Sequence, residues 1–133
     1  VARELGTITY RSRDEFNERF EWKPYPPFNF RHTCFEVENY LNVQGTKFAY
    51  NYDANCYLTL SRCMDLMDLG HGYSNYAEGV NRIKAKMYII GVDRDTLIPL
   101  EEQEHLANLL KALGKDVKFE VMSSLFGHDV RII

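Results

Sequence analysis

Apolar residues follow two rhythms along this chain. Up to about residue 83 they recur at three- and four-residue steps, the signature of helix faces. Val37, Tyr40, Leu41, Gln44 and Phe48 mark a helix from Phe35 to Tyr50, with Gly45 inside it at a close packing contact. Tyr57, Leu58, Leu60, Ser61, Met64, Leu66 and Met67 mark another from Ala54 to Asp68, capped by Asp53. Its polar side is so narrow that burial on more than one side is expected. Phe16 and Phe20 share a face of a helix over 13–20, and Ser12-Arg13-Asp14-Glu15 reads as a capping box in which each end serves the other. A short helix over Ala2 to Tyr10 and one over Asn75 to Ile83 complete the set. Pro24, Pro26 and Pro27 force an extended, aromatic loop between Trp22 and Phe30.

After residue 86 the rhythm changes. Met87 to Val92 is an almost unbroken apolar run, as expected of a central parallel strand covered on both faces. Pro99, Glu101 and Glu102 open a helix whose core stripe is Leu106, Ala107, Leu109, Leu110 and Leu113, and Lys111 and Gly114 end it. Val117 to Met122 is the next strand. Strand, helix, strand implies a right-handed parallel crossover. The chain therefore divides into a helical segment, 1–83, and the end of an α/β unit, 84–133.

Composition narrows the function. The 133 residues carry a net charge of −3, which suggests no nucleic-acid partner. No apolar run is long enough for a membrane span. No signal-peptide pattern stands behind Val1, and the natural start is expected upstream of it. Cys34, Cys56 and Cys63 lack metal-ligand spacing and read as small buried thiols in a reducing compartment, with a cytoplasmic location expected. There is no dinucleotide-binding glycine loop and no metal site. His105 lies on a solvated charged face, His71 sits in a glycine loop, and His32 carries no signal.

The chemistry gathers where parallel strands end, the usual place for active sites in α/β folds. Asp93 and Asp95 follow the first strand, and Gly127-His128 follows the second. Each alone has an ordinary reading, Asp as a turn or cap and His as a surface turn residue. Together, at consecutive strand ends, they match the last two members of a nucleophile–acid–histidine triad. Asp95 is the better acid because Thr96-Leu97-Ile98-Pro99 anchors the loop after it. Asp93 and Arg94 shape the turn. No G-x-S-x-G is present.

Longer stretches carry a family resemblance. Ala2-Arg3, Ile8-Thr9-Tyr10-Arg11-Ser12, Phe20, Val37-Glu38-Asn39-Tyr40-Leu41, Gln44-Gly45-Thr46-Lys47-Phe48, Asp53-Ala54-Asn55-Cys56-Tyr57-Leu58, Gly91-Val92-Asp93-Arg94-Asp95-Thr96-Leu97-Ile98-Pro99 and Gly127-His128-Asp129 resemble the carboxyl-terminal half of homoserine O-acetyltransferases, in the same order. The resemblance implies the carboxyl-terminal part of an α/β-hydrolase fold with a helical lid, its nucleophile half absent. It implies Asp95 as triad acid and His128 as triad base. It also implies Asp129 as the carboxylate for the substrate amino group, Arg3 for the substrate carboxylate, and Tyr10 facing the site. Acetyl-CoA would be the acyl donor in a ping-pong cycle, with no bound cofactor. Partners would be an amino-terminal half carrying the serine and a second copy meeting through lid helices.

The family usually continues after Gly127-His128-Asp129 with a small residue and Phe-Leu, whereas this chain has Val130-Arg131-Ile132-Ile133. The chain is expected to be a fragment of a longer enzyme or one piece of a cleaved one, unable to transfer acyl groups alone. Serine acyltransferases and the deacetylcephalosporin C acetyltransferase share the architecture. A plain hydrolase has no need for the Arg3/Asp129 clamp. The rival of another class is a non-catalytic module using helices 35–68 as a dimer surface.

Overall fold

A computed structural model of the chain describes residues 1–27, 29–31 and 34–130. The expectations attached to Phe28, His32 and residues 131–133 lie outside them. The helical part comprises α1 (Ala2–Thr9), α2 (Arg13–Phe20), α3 (Glu36–Asn51), α4 (Ala54–Asp65) and α5 (Tyr76–Asn81). The remainder is β1 (Met87–Val92), α6 (Leu100–Ala112), β2 (Val117–Met122) and a 3₁₀ turn at Gly127–Asp129.

Local chemistry places most helix starts. The Ser12 hydroxyl accepts the Glu15 amide at 3.1 Å, the Asp53 carboxylate that of Cys56 at 2.9 Å, and the Asn75 side chain that of Glu78 at 2.9 Å. The box at Ser12 is only half formed, because the Glu15 carboxylate turns to Arg11 and Arg19 instead of back to Ser12. Pro99 is the cap of α6, one position earlier than expected, and Gly114 ends that helix at φ +73°.

β1 and β2 pair in parallel, from Met87 opposite Val117 to Val92 opposite Met122. α6 crosses from one to the other, and Val80, Ile89, Ala107 and Leu110 form the buried centre beneath it. Val80 comes from α5, so this helix packs with the α/β unit although it lies before the division at 83. Gly79 makes that possible. A Cβ there would sit 1.7 Å from the Leu69 carbonyl oxygen, a backbone atom with little room to move. Gly79→Ala is expected to destabilise the fold by about 3 kcal/mol, read as a lowered urea midpoint at unchanged slope.

Two burial expectations fail. β1 is covered fully on one face only: Ile89 and Gly91 are buried on the α6 side, whereas on the other side only Val92, at the strand end, is buried, and Tyr88 is 53% exposed and meets Glu120 and Lys118. Apolar runs report tolerance of burial on both faces, but α6 lies on one. α4 has no buried residue, with Leu58 65% and Met64 75% exposed. Among the described residues it meets α3 through the Phe48, Tyr52 and Tyr57 rings at its start. Cys56 and Cys63, on this helix, are therefore exposed thiols and not buried ones, and Cys34 is partly buried.

The other helices are better seated. Phe16, Phe20 and Tyr40 pack edge-on and tilted between α2 and α3. The proline loop folds back on itself, with the Trp22 ring against Phe35 and the Tyr25 amide donating to the Cys34 carbonyl at 2.8 Å.

Candidate active site

The loop after β1 begins with a cross-tie. The Asp93 carboxylate accepts the Ser123 hydroxyl at 2.7 Å and the Ser124 amide at 3.1 Å, joining the two strand-end loops. The Ser123 hydroxyl and then the Ser124 amide hold its carboxyl below the usual value. Asp93 is thus a loop-shaping residue, and Arg94 pairs with Asp14 at 3.4 Å.

Asp95 uses both oxygens. Oδ1 accepts the Leu97 and Ile98 amides, each at 2.9 Å, which fixes the carboxylate plane. Oδ2 lies 2.8 Å from His128 Nδ1. Its side chain is 9% exposed. Burial pushes the carboxyl up, but the Ile98 amide, the His128 ring and the Leu97 amide together outweigh it and leave it below its usual value.

A depressed carboxyl contributes stability that is present in full above its unfolded value, about pH 4. That contribution is lost as pH falls through the lower folded value. Hydrogen exchange of the Leu97, Ile98 and Ser124 amides is expected to lose protection on acidification below about pH 4. Asp95→Asn should remove that dependence at Leu97 and Ile98.

His128 reaches Asp95 because the chain turns left-handed just before it. Gly127 has φ +63°, and a Cβ there would lie 2.9 Å from the Arg94 carbonyl oxygen and 3.0 Å from the Ser12 amide nitrogen. Gly127→Ala is expected to push the ring off Asp95 at a cost of about 1–3 kcal/mol of stability, read as a lowered urea midpoint together with loss of the His128 Nδ1 proton signal in NMR. An ionised Asp95 assigns the ring proton to Nδ1, leaving the Nε2 lone pair as the basic site. The His128 side chain is 31% exposed. Beside the pair opens a cavity of about 300 Å³, lined by Ile90, Val92, Asp95, Ile98, Gln103, His128 and Val130.

The corner between α1 and α2 closes over these loops. The Thr96 hydroxyl donates to the Thr9 carbonyl at 3.0 Å, the Asp129 amide to the Tyr10 carbonyl at 3.2 Å, and the Ser12 hydroxyl to the Leu125 carbonyl. The Tyr10 ring thereby stands 5.1 Å from the His128 ring, centre to centre. The Arg3 guanidinium lies over the Tyr10 ring at 5.6 Å and the Phe48 ring at 5.0 Å. Among the described residues it has no carboxylate partner. Asp129 follows His128 but is engaged, with Oδ2 2.9 Å from Arg11 Nε in an ion pair that is off-line for a hydrogen bond. Arg3, Tyr10, Asp95, His128 and Asp129 therefore converge on one corner.

Sequence reasoning assigned no place here to Arg11, Glu15 or Phe48. Arg11 and Phe48 lie inside the family-like stretches, and Glu15 is the third residue of a helix whose sequence signal is a capping box.

No protein-family model matches the chain. A homoserine O-acetyltransferase of Symbiobacterium thermophilum is 39% identical over 137 aligned positions, covering 100% of this chain and 36% of that protein. A serine O-succinyltransferase of Litchfieldella anticariensis is also 39% identical, over 142 positions, covering 100% of this chain and 38% of that protein. The chain thus spans little more than a third of the length of these relatives. Among solved structures, a homoserine O-acetyltransferase of Bacillus anthracis superposes with TM-score 0.81 at 19% identity, over 96% of this chain and 35% of that one. An esterase superposes with TM-score 0.80 at 24% identity, over 94% and 35%. Along its whole length the chain is homologous to one stretch of the homoserine O-acetyltransferases and serine O-succinyltransferases, and it carries a portion of the α/β-hydrolase fold.

Proposed function

We propose that this chain is the lid and the acid–base arm of an O-acyltransferase that moves acetyl from acetyl-CoA to the hydroxyl of homoserine. The observation that carries the reading is the 2.8 Å contact between His128 Nδ1 and Asp95 Oδ2, made from the ends of two adjacent parallel strands. Residues 1–83 supply the lid and 84–133 the last strands and helix of the core. An amino-terminal half supplies the nucleophilic serine.

His128 Nε2 takes the serine proton as the serine attacks the thioester carbonyl, and returns it to the departing CoA sulfur. The same nitrogen then takes the proton of the acceptor hydroxyl, which attacks the acyl-serine, and hands it back to the serine oxygen. Asp95 holds the ring in one tautomer and stabilises its cation in both halves. An amino-acid acceptor has two charged ends. Arg3, with no carboxylate partner among the described residues, suits the carboxylate, and Asp129 suits the ammonium. Tyr10 shapes the wall between Arg3 and His128. The exposed α3–α4 side is the surface through which two copies meet, in a cytoplasmic enzyme.

The test is release of free CoA thiol by the assembled enzyme. Acetyl-CoA with homoserine is expected to outpace every other pairing. The serine O-succinyltransferase relative, at equal identity, favours succinyl-CoA with serine as the second reading. Deacetylcephalosporin C is a further acceptor to include. CoA release independent of any acceptor would mark a hydrolase and overturn the proposal.

A further inference from the structure

Next to the His128–Asp95 pair runs a line of alternating charges. Asp129 Oδ2 is 2.9 Å from Arg11 Nε, Arg11 Nη1 is 3.6 Å from Glu15 Oε1, and that same oxygen is 3.5 Å from Arg19 Nη1. Burial differs sharply along it. The Glu15 side chain is 7% exposed and that of Asp129 40%. Glu15 Oε2 is buried and has no hydrogen-bond partner among the described residues.

A carboxylate is costly to bury, and one with an unused oxygen asks for an explanation. Helix capping does not provide it, because the Ser12 hydroxyl already serves the Glu15 amide and the carboxylate points elsewhere. Charge balance does. Asp129 and Arg11 alone sum to zero, and a neutral pair has little pull on a cation. With Glu15 added, these three charges sum to minus one. Arg19 is more exposed and lies over the Tyr40 ring at 4.2 Å, so water screens it more strongly. Arg11 Nε lies against Oδ2, and the Asp129 side chain, 40% exposed, stays open to a ligand.

We propose that Arg11 and Glu15 form a positioning pair that makes Asp129 selective for a cationic acceptor end: Arg11 fixes the carboxylate, and Glu15 cancels the Arg11 charge that would otherwise repel an ammonium. This rests on the acyltransferase reading above and adds to it two residues that act through Asp129 without touching substrate.

The experiment compares homoserine with γ-hydroxybutyrate, which is homoserine without its amino group, as acceptors in the assembled enzyme. Glu15→Gln keeps shape and removes charge. It is expected to raise the homoserine KM about fivefold, the scale of one partly screened ion pair, with a smaller change in kcat and in the γ-hydroxybutyrate KM. Arg11→Met should raise the homoserine KM further, and Arg11→Lys should recover part of the loss. In an Asp129→Asn background neither change should add its full effect, since both act through that carboxylate. Equal losses for both acceptors, or full additivity on Asp129→Asn, would overturn the pairing while leaving the acyltransferase reading intact. A wild-type enzyme that transfers to neither homoserine nor serine sinks both.

Discussion

His128→Ala is expected to remove about a millionfold of kcat in the proposed acyltransferase once its serine-bearing half is present, leaving only the rate that binding and oxyanion stabilisation sustain. The reason lies in the number of jobs this ring performs. In the proposed cycle it accepts and returns a proton twice, and no other described side chain stands where it could substitute. Tyr10, 5.1 Å away ring to ring, is a far weaker base at neutral pH. Both half-reactions should fail together, so pre-steady-state mixing with acetyl-CoA should show no burst of CoA. A burst of normal size, with slow turnover after it, would contradict the role assigned to His128 in acylation.

The second large effect is Asp95→Asn, expected to lower kcat about ten-thousandfold with the fold retained. The geometry says why the fold survives. The new side-chain oxygen still accepts the Leu97 and Ile98 amides, now both at 2.9 Å, so the loop keeps its shape. The amide nitrogen then faces His128 Nδ1 where Oδ2 had been, 2.8 Å away. Two N–H groups cannot share that contact. The ring must place its proton on Nε2, the atom that has to be free as the base. Asp95→Ala would mix this loss with collapse of the loop, so the amide variant is the cleaner measurement. Imidazole-proton NMR should report the tautomer change directly, and an unchanged tautomer with lost activity would point to another role for Asp95.

Much of this was readable in advance, for reasons that are local. Both strands, α6 and the caps at Ser12, Asp53 and Asn75 follow from signals within a few residues of each other. The Asp95–His128 contact spans 33 residues, yet strand–helix–strand order alone brings such positions to neighbouring loops. Burial was less readable. Periodicity shows which side of α4 is apolar but not whether anything lies against it, and among the described residues little does. The Arg11–Asp129 ion pair was invisible for a related reason. It depends on how a helical corner sits on a loop more than a hundred residues away, which no spacing rule encodes.

The way that corner is fastened has a consequence for how the protein tolerates change. Two of its three fastenings end on carbonyls of Thr9 and Tyr10, and the third on the carbonyl of Leu125. Every amino acid offers that oxygen. Side chains at 9 and 125 can therefore drift through mutation without loosening the joint, and alanine at either position would leave it intact. Its vulnerable points are few and chemically distinct. They are the hydroxyls of Ser12 and Thr96, and the single N–H of residue 129, which only proline would delete.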